Sequence, residues 1–233
     1  MTVKLLLPAL LTVPLVSAAQ LSELSRDSRS NNLNNGYTLA PAETSGIQGT
    51  PFLLPGWTPS TLQLNGGGTA LSLPLKYDIY RQELRAKRPA GDSVVVPLAR
   101  VKEFSLGSGP ARRFVCYPAS TLPADVAGGC GEVLYDGPAA QLLKFERKEV
   151  VKRAAENGGY AATNTVSALE AQTHYYLRYA ADGHFVALKP KRASLEQALA
   201  GHPAALAALK ARKGNIGNEA ELTAAVADLG ASL

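Results

Sequence analysis

The chain has 233 residues, 46% of them apolar, and a formal net charge of +5. That length suits one domain, or one domain with a small appendage. The cations are scattered: Arg81, Arg85, Lys87 and Arg88, then Arg112 and Arg113, then Lys148, Lys152 and Arg153. A mild, dispersed excess bears on solubility and on attraction to acidic surfaces, and the reading excludes nucleic acid as a partner.

Residues 1–19 begin with one cation, Lys4, run apolar from Leu5 to Val16, and end small at Ser17, Ala18 and Ala19. This order of charge, apolar run and small residues is that of a cleavable secretory signal. A membrane anchor is the alternative, but the run is shorter than the ~20 residues a bilayer requires, and Pro8 and Pro14 interrupt it. Cleavage after Ala19 sets Ser17 and Ala19 at the small-residue positions; cleavage after Ala18 sets Val16 and Ala18 there. Roughly 214 residues would remain, long enough for one domain. The expectation is an exported protein, periplasmic or extracellular, that is not an integral membrane protein once the signal is removed.

Residues 20–50 are rich in Ser, Asn, Gly and Ala and show no sustained apolar period, so they read as a flexible linker. Residues 51–190 then carry the signature of an antiparallel β domain. From Leu71 to Ile79 apolar side chains occupy every odd position, which is the period of a half-buried strand. Pro74 cannot donate to a ladder and implies an edge or a bulge. Further short strands are expected at Thr61–Leu64, Glu83–Lys87, Ser93–Val96, Val101–Leu106 and Arg113–Cys116, separated by Gly- and Pro-rich breaks. The string Leu106-Gly107-Ser108-Gly109-Pro110 reads as such a break.

Two hairpins follow. Glu132–Tyr135 leads through Asp136-Gly137 into Leu142–Phe145, and Tyr175–Tyr179 leads through Asp182-Gly183 into Phe185–Leu188. Asp-Gly between apolar-patterned runs marks a tight turn, because glycine accepts positive φ. Residues 149–172 stay ambiguous between helix and strand, with Asn157-Gly158-Gly159 ending whichever forms. Residues 191–233 read as a helical segment packed on the sheet: Ser194–Ala200, a second helix opened by His202-Pro203, and a third capped by Asn218 with Glu221. The expected fold class is therefore mainly β (α+β), an antiparallel meander forming a curved sheet or roll, with short C-terminal helices.

Cys116 and Cys130 are the only thiols. Outside the cytoplasm an even count favours a disulfide over two separate buried thiols. Such a bridge closes a loop worth about 3 kcal/mol in the chain-entropy model. His174, His184 and His202 show no metal-ligand spacing, and pairing about Asp182-Gly183 is expected to set His184 opposite Ala181. No serine-nucleophile elbow and no phosphate loop is present. Carboxylates at Glu83, Asp92, Glu103, Glu132 and Asp136 could converge in a hydrolase, though solvated strand faces explain them as well. The largely aromatic face of Tyr175, Leu177 and Tyr179 reads as core, with an exposed stripe that binds sugars or peptides as the alternative. Hence no catalytic, cofactor-binding or metal residue is assigned.

Gly49-Thr50-Pro51-Phe52-Leu53-Leu54, Leu73–Leu84, Val101-Lys102-Glu103-Phe104 and Glu132–Gly137 with Leu142–Lys144 together resemble a group of exported β-rich proteins common in Bacteroidota. The resemblance spans most of residues 49–229, and its motifs describe strands and turns. It implies export and a meander with a helical tail, and lends no catalytic residue. The chain departs from the group at Cys130, where an aromatic is usual, so the bridge is not implied by the resemblance. The resulting expectation is a non-enzymatic module that binds an envelope or extracellular partner. Two alternatives remain: a carrier of a small apolar ligand between sheet and tail, and a carboxylate-based hydrolase with two acids in a cleft.

Overall fold

The odd positions of residues 71–79 all turn inward: in the computed structural model Leu71, Leu73, Leu75, Tyr77 and Ile79 are buried, and only Asp78 among the even positions joins them. The structure describes residues 46–88, 91–107, 111–154 and 165–233. The expected signal, the linker up to residue 45, the 108–110 turn and the Asn157-Gly158-Gly159 break lie outside the described residues.

The fold is mainly β. In chain order the strands are β1 (Ile47–Gln48), β2 (Ser60–Leu64), β3 (Leu71–Ser72), β4 (Leu75–Asp78), β5 (Glu83–Lys87), β6 (Ser93–Val96), β7 (Val101–Leu106), β8 (Arg112–Cys116), β9 (Cys130–Asp136), β10 (Ala140–Ala154), β11 (Thr165–Tyr179) and β12 (Phe185–Leu188). Three helices follow: α1 (Arg192–Ala198), α2 (Pro203–Ala211) and α3 (Glu219–Leu229). A large sheet has the order β1-β11-β10-β9-β8-β7-β2-β3, with β12 also on β11, and β4-β5-β6 form a small antiparallel sheet. No helix among the described residues is long and apolar enough to cross a membrane.

The 71–79 run is not one strand. Pro74 divides it, with β3 pairing to β2 in the large sheet and β4 to β5 in the small one. Proline has no N–H to give, and its carbonyl instead accepts the Lys87 N–H at 2.9 Å. Ile47–Gln48, inside the stretch read as linker, pairs in parallel with Ser167 and Ala168. Two residues show no period, so their pairing could come only from an available strand edge. The ambiguous 149–172 region is strand where it is described, because β10 and β11 pair residue for residue from Ala140–Tyr179 to Ala154–Thr165.

The Asp-Gly turns work in two ways. Gly183 has φ of +72°, which side chains resist. At Gly137 the reason is close approach, since a Cβ there would collide with the Tyr135 ring. The β11–β12 loop is longer than a two-residue turn: the Tyr179 N–H donates to the His184 carbonyl at 3.0 Å. His184 therefore sits opposite Tyr179 rather than Ala181.

The large sheet is covered on both faces near its centre. Leu142, Leu177 and Tyr179 pack under Leu195, Leu199, Leu209 and Leu222 of the tail. On the other face Leu143, Phe145 and Tyr176 pack with Leu122 and Val126, which come from the loop closed by the Cys116–Cys130 disulfide. That bridge joins residues directly opposite each other on β8 and β9. The Asn218 side chain accepts the Glu221 N–H at 2.9 Å, and Glu221 reaches back to the Gly217 N–H at 2.7 Å. These are the local bonds that start α3.

Candidate functional site

Strand register aligns one residue from each of eight strands into a single row: Leu71, Leu62, Phe104, Phe114, Glu132, Lys144, Tyr175 and Leu188. Paired residues of antiparallel strands share a face. The first four are apolar and lie under the small sheet, whose Tyr77 ring meets Phe104 at 5.4 Å and Phe114 at 6.0 Å, edge-on. The last, Leu188, belongs to the core under the helices. Between these two covers the row is polar.

In that seam Arg112 grips Glu132 with two bonds of 2.7 Å and Glu146 with a third of 2.7 Å. Lys144 lies 3.0 Å from Glu132 and 3.1 Å from Glu219, the first residue of α3. The Tyr175 hydroxyl donates to Glu219 at 2.9 Å. A bulge in β9 makes this possible. Gln141 faces Asp136 and Leu142 faces Tyr135, but Leu143 faces Val133 and Lys144 faces Glu132. Without that extra residue Glu132 would oppose Phe145.

The chemistry of the seam follows from its charges. Burial works to raise the Glu132 carboxyl, but the Arg112 and Lys144 bonds outweigh it and hold the group below the usual carboxylate range. Burial likewise works to lower the Lys144 ammonium, and Glu132 and Glu219 raise it instead. Burial and the Glu219 bond raise the Tyr175 hydroxyl. Glu132 is thus held as an anion, with both carboxyl oxygens bonded to the Arg112 and Lys144 cations. The seam is an ionic clasp that ties α3 to the sheet.

The other acids singled out in the sequence lie elsewhere. Glu103 and Asp136 share Arg113 at 3.5 and 2.8 Å on the exposed outer face. Asp92 pairs with Arg88 in the β5–β6 turn. Glu83 touches Arg85 at 3.5 Å. The sequence reading missed Glu146, Glu219, Asp78 and Asp125. Asp78 is fully buried, accepts the Tyr80 and Arg81 N–H groups at 3.0 and 2.8 Å, and caps the turn into β5. Asp125 accepts the Tyr176 hydroxyl at 2.7 Å and lies 3.0 Å from His174 Nδ1, pinning the disulfide loop to the sheet. Among the described residues no group of three or more His, Cys, Asp or Glu could hold a metal ion.

Two features remain open. A groove of about 590 Å³ lies where the 137–139 turn, the 180–184 loop and the end of α1 meet. Pro138, Ala139, Ala181 and Gly201 give it apolar walls, and Asp182, His184 and His202 add charged and polar edges. His202 stacks on Tyr179 at 4.4 Å, while the Tyr179 hydroxyl donates to the Ala198 carbonyl at 2.9 Å. The second feature is β6. It forms one edge of the small sheet, paired only with β5 among the described residues.

In comparisons with known proteins, no family model, curated protein or solved structure matches this chain.

Proposed function

We propose that the protein is an exported, non-enzymatic β-rich module that binds a partner at the cell envelope, with the outer edge of β6 as its contact. The observation that carries this reading is the edge itself. Natural sheets guard free edges with charge or proline. β10 does so beyond Lys148, with Glu149, Lys152 and Arg153. β6, four residues between Asp92 and Pro97, reads Ser-Val-Val-Val with no charge or proline within it, and Val95 is 48% exposed. An unguarded edge suits strand addition by a partner. The saturated state of the Glu132 clasp supports binding over catalysis, and the signal-like residues 1–19 and the resemblance to exported Bacteroidota proteins support export.

A photo-crosslinking residue in place of Val95 is expected to give one discrete adduct in intact cells. The same residue in place of Val150, which is 42% exposed on the guarded strand, should give none. Equal labelling at both positions would defeat the reading. The export half is checked by the N-terminus of the recovered protein, which should be Ala19 or Gln20, and recovery from the cytoplasm with Met1 retained would overturn it.

The groove supports a second reading, a carrier of a small apolar ligand. Its volume falls within the range of small-molecule sites. Ala181→Trp fills it from an exposed loop, and should abolish the fluorescence of anilinonaphthalene sulfonate if that dye occupies it.

A further inference from the structure

We infer that the occupant of the β6 edge is an extended, acidic peptide segment of a partner protein, added as a fourth strand to the small sheet. This rests on the reading of β6 as the binding edge and names the chemistry of what it takes.

Val94 and Val96 point into the core, 4% and 1% exposed, while Ser93 and Val95 point outward. In an antiparallel pair alternate residues direct their N–H and C=O groups at the neighbouring strand, so half of the residues of β6 hold theirs outward. Those groups accept a ladder but do not choose a sequence. The outward side chains do that.

Lys76, Asp78, Glu83, Arg85 and Lys87 lie on the other face of the small sheet from the core, with Arg85, itself buried, opposite Val95 and the exposed Lys87 opposite Ser93. The Lys76 ammonium lies 3.8 Å above the Phe52 ring and the Arg85 guanidinium 5.4 Å from it. Arg85 reaches Glu83 and Asp78 only at 3.5 and 3.7 Å, and its buried Nε has no hydrogen-bond partner among the described residues. Lys87 is exposed and has no ion pair among the described residues. Ser93, beside it, is small. A strand added to β6 lies about 10 Å from β5, two strand spacings away. Lys87 can extend over Ser93 to a carboxylate on that strand, and Val95 offers an apolar contact for the residue two positions along.

A second copy of this chain fits less well. A two-fold axis through Val95 would set Val95 against its own counterpart and Ser93 against the partner's Pro97. Proline has no N–H to give that ladder, and the acid in the row of Lys87 would be the second copy's Glu83, three strand spacings from β5 instead of two. Charge complementarity selects a different, acidic strand.

The test uses the isotopically labelled protein, titrated with two synthetic peptides and followed by backbone amide shifts. One peptide is acetyl-Gly-Thr-Val-Ile-Val-Glu-Thr-Gly-amide, and the other carries Lys in place of Glu. Both should shift β6 and β5. The acidic peptide should bind roughly two- to fivefold more tightly, the range of a solvent-exposed ion pair, and Lys87→Glu should reverse the order. Lys87 is solvent-exposed, so an unchanged melting temperature confirms that the variant folds. Equal affinities, or a ranking that survives Lys87→Glu, overturn the acidic occupant and leave strand addition standing. Absence of any shift in β6 overturns the edge reading itself. A dimer in sedimentation equilibrium that Val95→Lys dissolves assigns the edge to a second copy and overturns the proposal.

Discussion

The two covers on one face of the large sheet are built differently. The small sheet is held by a few large aromatic contacts: Tyr77 meets Phe104 and Phe114 edge-on, and those two rings stack at 4.9 Å. Two further bonds lock it: the Cys130 N–H donates to the Tyr77 side-chain hydroxyl at 3.0 Å, and the Lys148 N–H donates to the Ile79 carbonyl at 3.0 Å. The helical tail instead spreads its burial over many leucines and alanines, among them Leu195, Leu199, Ala205, Leu209 and Leu222. Its polar ties are the clasp at Glu219, the Tyr179 bond to Ala198, and Arg192 bonded to the carbonyls of Leu209, Arg212 and Gly214. Concentrated anchors make one cover sensitive at single positions. Distributed contacts make the other tolerant at most of them.

The comparison breaks first at its largest contacts. Phe104→Ala should cost about 3–5 kcal/mol and Leu209→Ala about 2–5 kcal/mol in denaturant unfolding. If the covers act independently, the double variant should equal the sum within ~0.5 kcal/mol. A larger deviation would show that the seam couples them.

The seam is expected to contribute less. Glu132→Gln keeps the shape but weakens the bonds to Arg112 and Lys144, and should cost about 1–3 kcal/mol. Because the folded Glu132 carboxyl lies below its ordinary value of 4.5, its contribution is present above that value and is lost as pH falls through the folded pKa. Lys144 is raised above 10.5, so its contribution is present below that value and lost as pH rises through the folded pKa. The native protein should therefore lose stability in acid, and Glu132→Gln should lose less over the same range. Parallel acid profiles for the two proteins would remove Glu132 from the clasp. Smallest of all, Asn218→Ala should cost about 1 kcal/mol by uncapping α3, visible as earlier loss of helical circular dichroism while near-ultraviolet signals from the small sheet persist.

Much of this architecture was legible in the residue pattern, and the exceptions have physical causes. Odd-numbered burial from Leu71 to Ile79 follows from the pleat, which only local geometry sets. The switch of sheets at Pro74 depends on distant partners, Ser60 and Lys87, that no nearby residue reveals. The outer halves of β10 and β11 carry polar side chains on both faces, so they lack a period and owe their form to each other. Asp78, the last residue of β4, breaks the alternation because its side chain is buried to accept the Tyr80 and Arg81 N–H groups of the turn.

The amino-acid order by itself fixed the β-rich class, the positions of most short strands, the two Asp-Gly hairpins, the Asn218 cap and the pair of cysteines. These depend on near-neighbour sterics, side-chain period and hydrogen bonds only a few residues long. Tertiary structure alone decided that Glu132 meets Lys144 rather than Phe145, that Arg112, Glu146 and Glu219 converge on them, and that β6 stands at an edge of the small sheet among the described residues. Register is set by bulges and by which strands lie side by side. One residue of slip in β9 would turn the clasp into an acid against a ring.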